Sequence, residues 1–115
     1  YIHLADSLLE ELWRTVQSLD QYRDRTTLIV TTDHGRGRTP QDWVDHDTGI
    51  EGSQDIWIAI IGPDTPALGE VSNHPDVTQS DIAATMLQYL GLDHRKFNPD
   101  AGPPISGSLK SPPAN

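Results

Sequence analysis

The sequence predicts a layered α/β fold, and three features of the chain lead to this prediction. A helical period of apolar residues comes first, two short apolar runs follow it, and a second helical period comes after them. Helices and strands that alternate along a chain are typical of helices packed against a sheet. Two strands are too few for a complete doubly wound sheet, so we expect this chain to supply part of such a fold.

The first predicted element is an amphipathic helix over residues 2–19. Its apolar side chains recur three and four positions apart, at Ile2, Ala5, Leu8, Leu9, Leu12, Trp13, Val16 and Leu19. This spacing places them on one stripe of a helix, while polar residues occupy the opposite face. We therefore expect the stripe to be buried, and we expect the charged residues 20–26 to form a connection.

Two apolar runs, residues 27–31 and 56–61, predict the strands. Both are rich in β-branched residues and nearly free of polar ones, as in strands buried on both faces. Between them, residues 35–54 mix glycines, a proline and charges with no sustained period. Loops of this length in compact domains are usually functional or disordered, so this segment is a candidate site.

A second helix is predicted from Thr78 to Leu90. Thr78 is a favourable N-terminal cap, Asp81 suits the positive end of the helix dipole, and Gly91 supplies a left-handed C-terminal cap. Beyond this helix, residues 98–115 are dominated by Pro, Gly and Ser and predict a mobile tail. The predicted organisation is therefore one domain portion over residues 1–97 followed by that tail.

Composition restricts the classes of function. The 115 residues carry 17 acidic and 8 basic side chains, for a formal net charge of −9. Binding to a nucleic-acid backbone needs clustered Lys and Arg, so we expect no nucleic-acid surface. No run approaches the ~20 apolar residues of a membrane span, so we expect no membrane segment. The absence of cysteine excludes disulfides and thiolate metal sites, and it fits a periplasmic, secreted or cytoplasmic location equally well.

The end of the first predicted strand carries the dipeptide Asp33-His34. Ligands of open α/β sheets collect beyond the carboxyl ends of strands, and a carboxylate beside an imidazole suits Zn²⁺ or Mn²⁺. Neighbouring side chains of a strand point to opposite faces, so the two converge only if the strand has ended. Gly35 permits the required turn. The alternative to a metal site is that Asp33 caps a turn and His34 is an ordinary surface histidine.

His46 is the third candidate ligand and lies twelve positions after His34. The eleven residues between them span up to roughly 36–40 Å when extended, so the loop can return His46 to the strand end. Asp45 and Asp47 flank it and are candidate acceptors for an imidazole N–H. A solvated acidic loop with an incidental histidine is the alternative. Arg36 and Arg38 in the same loop are candidates for contact with an anionic substrate or for solvated surface.

Three segments of the chain resemble the alkaline phosphatase superfamily. Residues 26–35, TTLIVTTDHG, are similar to the metal-ligand strand of that family, and residues 56–63, IWIAIIGP, to its strand ending in Gly-Pro. Residues 78–92 are similar to its helix with the pattern Asp-x-x-x-Thr-x-x-x-x-x-Gly. The resemblance covers about residues 1–95. The superfamily includes type I phosphodiesterases, nucleotide pyrophosphatases, cofactor-independent phosphoglycerate mutases and sulfatases.

The resemblance implies a doubly wound three-layer α/β/α sandwich and two divalent metal ions, Zn²⁺ with Mn²⁺ as the alternative. Asp33 and His34 would bind the ion that activates a Ser or Thr nucleophile, and His46 would bind the other. The substrate would be a small phosphorylated or sulfated ester. A covalent phospho-intermediate would form and then be hydrolysed by water.

The motifs that supply the nucleophile and the remaining metal ligands in this family have no counterpart in the chain. The resemblance therefore predicts the C-terminal part of a metal-dependent phosphoric-ester hydrolase, with no catalytic residue of its own and no activity alone. A sulfatase is one alternative, although calcium-type sulfatases tend to carry an amide where this chain has His34. A non-catalytic metal-binding or structural remnant of the fold is the other.

Overall fold

The computed structural model describes residues 1–111. They divide into two compact units, Tyr1–Ile61 and a second unit that begins at Gly62. The first unit contains helix α1, strand β1, a 3₁₀ turn and strand β2, at Ile2–Ser18, Leu28–Thr31, Asp42–Val44 and Ile58–Ile61. The second contains helices α2 and α3, at Ser80–Tyr89 and His94–Phe97. The mixed α/β class predicted from the sequence is confirmed. None of the helices in residues 1–111 has the length and apolar character that crossing a bilayer requires.

Helix α1 ends within one residue of its predicted end, but its apolar stripe is not buried. Leu8 and Leu12 are 56% and 47% exposed, and only Leu9, Trp13 and Val16 of the stripe are half-buried. The expectation of a buried stripe is therefore wrong for this unit. The reason is that α1 makes little contact with β1 and β2, and two four-residue strands of about 13 Å could not in any case cover a 17-residue helix of about 25 Å.

Strands β1 and β2 pair antiparallel, with Leu28 opposite Ile61 and Thr31 opposite Ile58. Most of their residues are half-buried, so the expectation of strands buried on both faces is also wrong. This register brings the end of β1 beside the start of β2, where the Thr31 hydroxyl donates to the Trp57 carbonyl at 2.9 Å. The connecting loop therefore starts and ends at the same end of the sheet, and this arrangement positions the candidate site.

Helix α2 follows its predicted boundaries closely, although the capping differs in detail. The helix begins at Ser80 with Gln79, not Thr78, at the N-cap. The Thr78 hydroxyl lies 2.6 Å from the Ser80 hydroxyl, and the Asp81 carboxylate accepts from the Thr78 backbone N–H at 2.8 Å. Gly91 has φ +70°, and Leu92 N–H donates back to the Leu87 carbonyl at 2.8 Å. This is the glycine-terminated helix end that the sequence predicts.

Helix α3 was not predicted. It has four residues, which is too short to show an apolar period, and the Asp93 carboxylate caps it by accepting from the Arg95 backbone N–H at 3.1 Å. The Arg95 guanidinium, which donates from Nε to the same carboxylate at 3.2 Å, and then the Arg95 backbone N–H hold the pKa of Asp93 below its usual value. A polar side chain that caps a single turn is therefore the one sequence signal for this element.

The segment after α3 is held to the second unit, whereas its composition predicts a mobile tail. Ile105 N–H donates to the hydroxyl of the fully buried Thr85 at 2.8 Å, and Lys110 N–H donates to the Asp64 carbonyl at 2.7 Å. The Tyr89 hydroxyl donates to a backbone carbonyl of the same segment. A chain rich in Pro and Gly cannot form a ladder, but its remaining amides and carbonyls still bond to side chains. The last part of the predicted tail, residues 112–115, lies outside the described residues.

His74 forms a further link to this segment. Its ring nitrogens lie 2.8 Å from the Ser106 carbonyl and 3.1 Å from the Pro75 carbonyl. Carbonyl oxygens only accept, so both contacts are satisfied together only when both ring nitrogens carry protons. The hydrogen bond to Ser106, and then that to Pro75, therefore raise the pKa of His74 above its usual value of 6.5.

The link through His74 is expected to weaken as the pH rises. Because the pKa of His74 is raised on folding, its stabilising contribution is complete below 6.5 and is lost as the pH rises through the folded-state value. Amide hydrogen exchange at Ile105 measures the opening of this segment. In the natural chain, the segment should open more readily as the pH rises. In His74→Gln, opening should not depend on pH, so exchange at Ile105 should change with pH only as the chemical exchange rate of a free amide does. Equal pH dependence of opening in the variant and the natural chain would contradict the prediction.

Candidate metal centre

The candidate centre begins where the chain leaves β1. Gly35 N–H donates to the Ser53 carbonyl at 2.7 Å and closes the loop just beyond the sheet. A Cβ atom at Gly35 would lie 2.1 Å from the Gly52 carbonyl oxygen and 2.4 Å from that of Asp55. Only glycine allows the two backbone segments to approach this closely. The turn that the sequence predicts at Gly35 is therefore present, and it is fixed by backbone contact.

Asp33 and His34 lie together at this turn. The Asp33 carboxylate accepts from the His34 backbone N–H at 3.0 Å, and its second oxygen lies 3.8 Å from His34 Nε2. His34 Nδ1 lies 2.6 Å from the Gly35 carbonyl oxygen. Because that carbonyl only accepts, Nδ1 carries the proton in this contact, and the lone pair of a neutral His34 ring is then on Nε2. This is the arrangement in which an imidazole is oriented for metal binding.

The Asp33–His34 pair fits a shared divalent cation. Oxygen and nitrogen ligands lie about 2.0–2.2 Å from Zn²⁺, so two of them at a tetrahedral angle are about 3.3 Å apart. The observed 3.8 Å between the Asp33 oxygen and His34 Nε2 is about half an ångström longer. The Asp33 side chain is 88% exposed and His34 30%, so a small rotation of the carboxylate can close that difference.

The loop brings His46 to His34. Their ring centroids are 4.1 Å apart and the ring planes are inclined by 27°, so the two imidazoles are stacked. The carboxylates expected to accept from an imidazole do not do so. Asp45 accepts from the His46 backbone N–H at 2.8 Å, and Asp47 accepts from the Thr48 backbone N–H at 3.0 Å. Short Asp side chains bond most readily to the next backbone amides, which explains the difference.

Side chains within the loop hold this arrangement. The Arg36 guanidinium donates to the Trp43 carbonyl, and the Ser53 hydroxyl donates to the Asp47 carbonyl at 3.0 Å. Arg38 pairs with Glu51 at 3.2 Å. Both arginines therefore contact the loop itself. The sequence does not predict these contacts of Arg36 and Ser53, because no local pattern marks contacts between residues six or seven positions apart in a loop.

The donors do not surround a single point. Among residues 1–111, no three His, Asp or Glu side chains are placed to hold one metal ion together. Asp33 and His34 form one donor pair, and His46 lies across the ring stack from them.

Comparison with known proteins finds no matching family model, no matching curated protein and no matching solved structure. Membership of the alkaline phosphatase superfamily, which three segments of the sequence suggest, therefore stays a prediction. The geometry of Asp33, His34 and His46 is an independent observation, because it depends on the fold of the loop and not on the resemblance.

Proposed function

We propose that this chain carries metal-binding residues of a metal-dependent phosphoric-ester hydrolase. The observation that supports this function best is the stacking of His46 on His34, with the Asp33 carboxylate beside them. Two histidines twelve residues apart and a carboxylate meet at the end of a strand, where ligands of α/β proteins usually bind. The donor types, imidazole and carboxylate, are those that Zn²⁺ and Mn²⁺ accept.

Each residue has a distinct role in this proposal. Asp33 and His34 would hold one cation, and His46 would hold a second. When bound, such a pair of ions would supply positive charge to the attacking and leaving oxygens of an in-line displacement at phosphorus. The chain itself is strongly acidic, and Arg36 and Arg38 already contact the loop, so bound cations would supply the positive charge that attracts a phosphorylated ester.

We also propose that the elements of this chain belong to a larger three-layer α/β/α sandwich. The chain exposes 9209 Å², whereas two separate folded units of half its 12.7 kDa mass would together expose about 7,500 Å². A standard protein interface buries about 800 Å² on each partner, so the excess of about 1,700 Å² is roughly twice one side of such an interface. In the described part of the chain, Ala84 is the one buried apolar residue. The exposed stripe of α1 and the two-stranded sheet are the surfaces that further layers would cover.

A Zn²⁺ titration of the 115-residue chain, followed by NMR of the histidine rings, tests the metal site. The signals of His34 and His46 should shift together, while the other three histidines provide an internal control because they lie outside the site. Binding should be weak, because the described residues supply only three donors for two ions. Shifts confined to His3, His74 or His94 would contradict the proposed site, as would the absence of any shift.

The same sample tests the catalytic part of the proposal. The chain contains no residue assigned as the nucleophile, so p-nitrophenyl phosphate should not be hydrolysed in the presence of Zn²⁺ or Mn²⁺. Turnover by a pure sample would show that the chain supplies its own nucleophile and would overturn the assignment of this step to residues outside it.

A further inference from the structure

The loop between the strands contains two arginines, and their side chains contact different parts of it. Arg36 donates from Nη1 to the Trp43 carbonyl, whereas Arg38 pairs with the Glu51 carboxylate. Trp43 lies in the 3₁₀ turn Asp42–Val44, three residues before His46. Arg36 itself lies two residues after His34. The Arg36 side chain therefore joins the segment that carries one histidine to the segment that carries the other.

The backbone of Arg36 is a fixed point for this contact. Gly52 has φ +94°, and a Cβ atom there would lie 2.9 Å from the Arg36 carbonyl oxygen. The preceding amide, that of Gly35, is hydrogen-bonded to the Ser53 carbonyl. The Arg36 main chain is therefore held against residues 52–53 while its guanidinium reaches the turn at Trp43. A side chain fixed at both ends restricts the distance between His34 and His46.

We propose that Arg36 is a positioning residue that holds His46 against His34 and so sets the spacing of the two cation sites. The proposal rests on the proposed function for its metal-binding consequence, but its structural part concerns only the ring stack. A guanidinium suits this role because it stays charged at every accessible pH and its donors form a rigid planar group. A charged donor also forms a stronger hydrogen bond to a carbonyl than a neutral donor does.

The test compares Arg36→Met with Arg38→Met in the full 115-residue chain. Both substitutions remove a guanidinium from the same loop, but only the first removes the contact to Trp43. The structural measurement is the nuclear Overhauser effect between the His34 and His46 rings, and the second measurement is Zn²⁺ affinity. Nuclear Overhauser effects between Ile29 and Ile60, which are paired across the two strands, show in both variants whether the sheet remains folded.

Arg36→Met is expected to lose the nuclear Overhauser effect between the His34 and His46 rings. It should also bind Zn²⁺ about tenfold more weakly, which is the loss typical when a residue that orients a metal ligand is removed. Arg38→Met should keep both properties. Arg36→Lys should restore part of the ring contact, because an ammonium can donate one hydrogen bond to the same carbonyl. The proposal is overturned if Arg36→Met keeps the ring contact, if Arg38→Met loses as much, or if the natural chain shows no ring contact.

The two measurements separate this proposal from the proposed function. If the ring contact depends on Arg36 but the natural chain binds no Zn²⁺, the positioning role stands and the metal site does not. If the natural chain binds Zn²⁺ and Arg36→Met keeps both the ring contact and the affinity, the metal site stands and the positioning role does not.

Discussion

Gly35→Ala is expected to destabilise the first unit and to eliminate the contact between the two histidine rings. The added Cβ would meet the carbonyl oxygens of Gly52 and Asp55 at 2.1 and 2.4 Å, both of which are backbone atoms that no side-chain rotation can move. Relief requires the strand end and the loop to separate, which breaks the hydrogen bond from Gly35 N–H to Ser53. Steric overlap and the lost hydrogen bond together cost about 2–4 kcal/mol.

Urea unfolding and the nuclear Overhauser effect between His34 and His46 measure these two consequences. Gly49→Ala is the matched control, because it lies in the same loop, has no heavy atom within 4 Å of the added Cβ, and has no left-handed backbone conformation. Its stability should change by less than about 0.5 kcal/mol. If both variants unfold at the same urea concentration as the natural chain, the close approach at Gly35 is not a constraint in solution.

The parts of the fold that the sequence predicted well depend on local signals. Helix α1 has a long apolar period, and Gly91 ends α2 because a residue without Cβ accepts the left-handed conformation at low cost. The direction in which β1 and β2 pair has no such signal, because a four-residue apolar run is equally suited to either direction. Burial was overestimated for α1 because an apolar stripe shows which face prefers to be covered, and other elements decide whether it is covered.

In the candidate site, too, the features with a local sequence signal could be predicted, and those that depend on contacts between distant segments could not. Asp33 and His34 are neighbours in sequence, so their proximity needed only the end of a strand and the turn at Gly35. For His46 the loop length permitted contact with His34 but did not require it, because a chain of eleven residues has many conformations. The contact depends on Arg36 and on backbone packing around Gly35, which are interactions between segments and leave no periodic pattern in the sequence.

His34→Ala is expected to cause the largest loss of metal affinity. It removes the Nε2 donor beside Asp33 and leaves a single exposed carboxylate, which is a weak ligand for Zn²⁺ when alone. The loss should exceed the roughly 10–100-fold that removal of an outer-shell partner costs. The fold should change little, because His34 is partly exposed and its ring contacts are the Gly35 carbonyl, the Asp33 carboxylate and the His46 ring.

His46→Ala should behave differently, and the difference decides how many ions the centre holds. If each ring serves its own ion, His46→Ala keeps the cation of Asp33 and His34 and lowers the number of bound Zn²⁺ from two to one. If all three side chains share one ion, both variants lose it, and the affinity falls in each. Isothermal titration of the two variants separates these outcomes, with His3→Ala on α1 as the control for general loss of a histidine. Equal binding in all three variants would exclude His34 and His46 as ligands, because their removal would then have no more effect than the removal of a histidine outside the site.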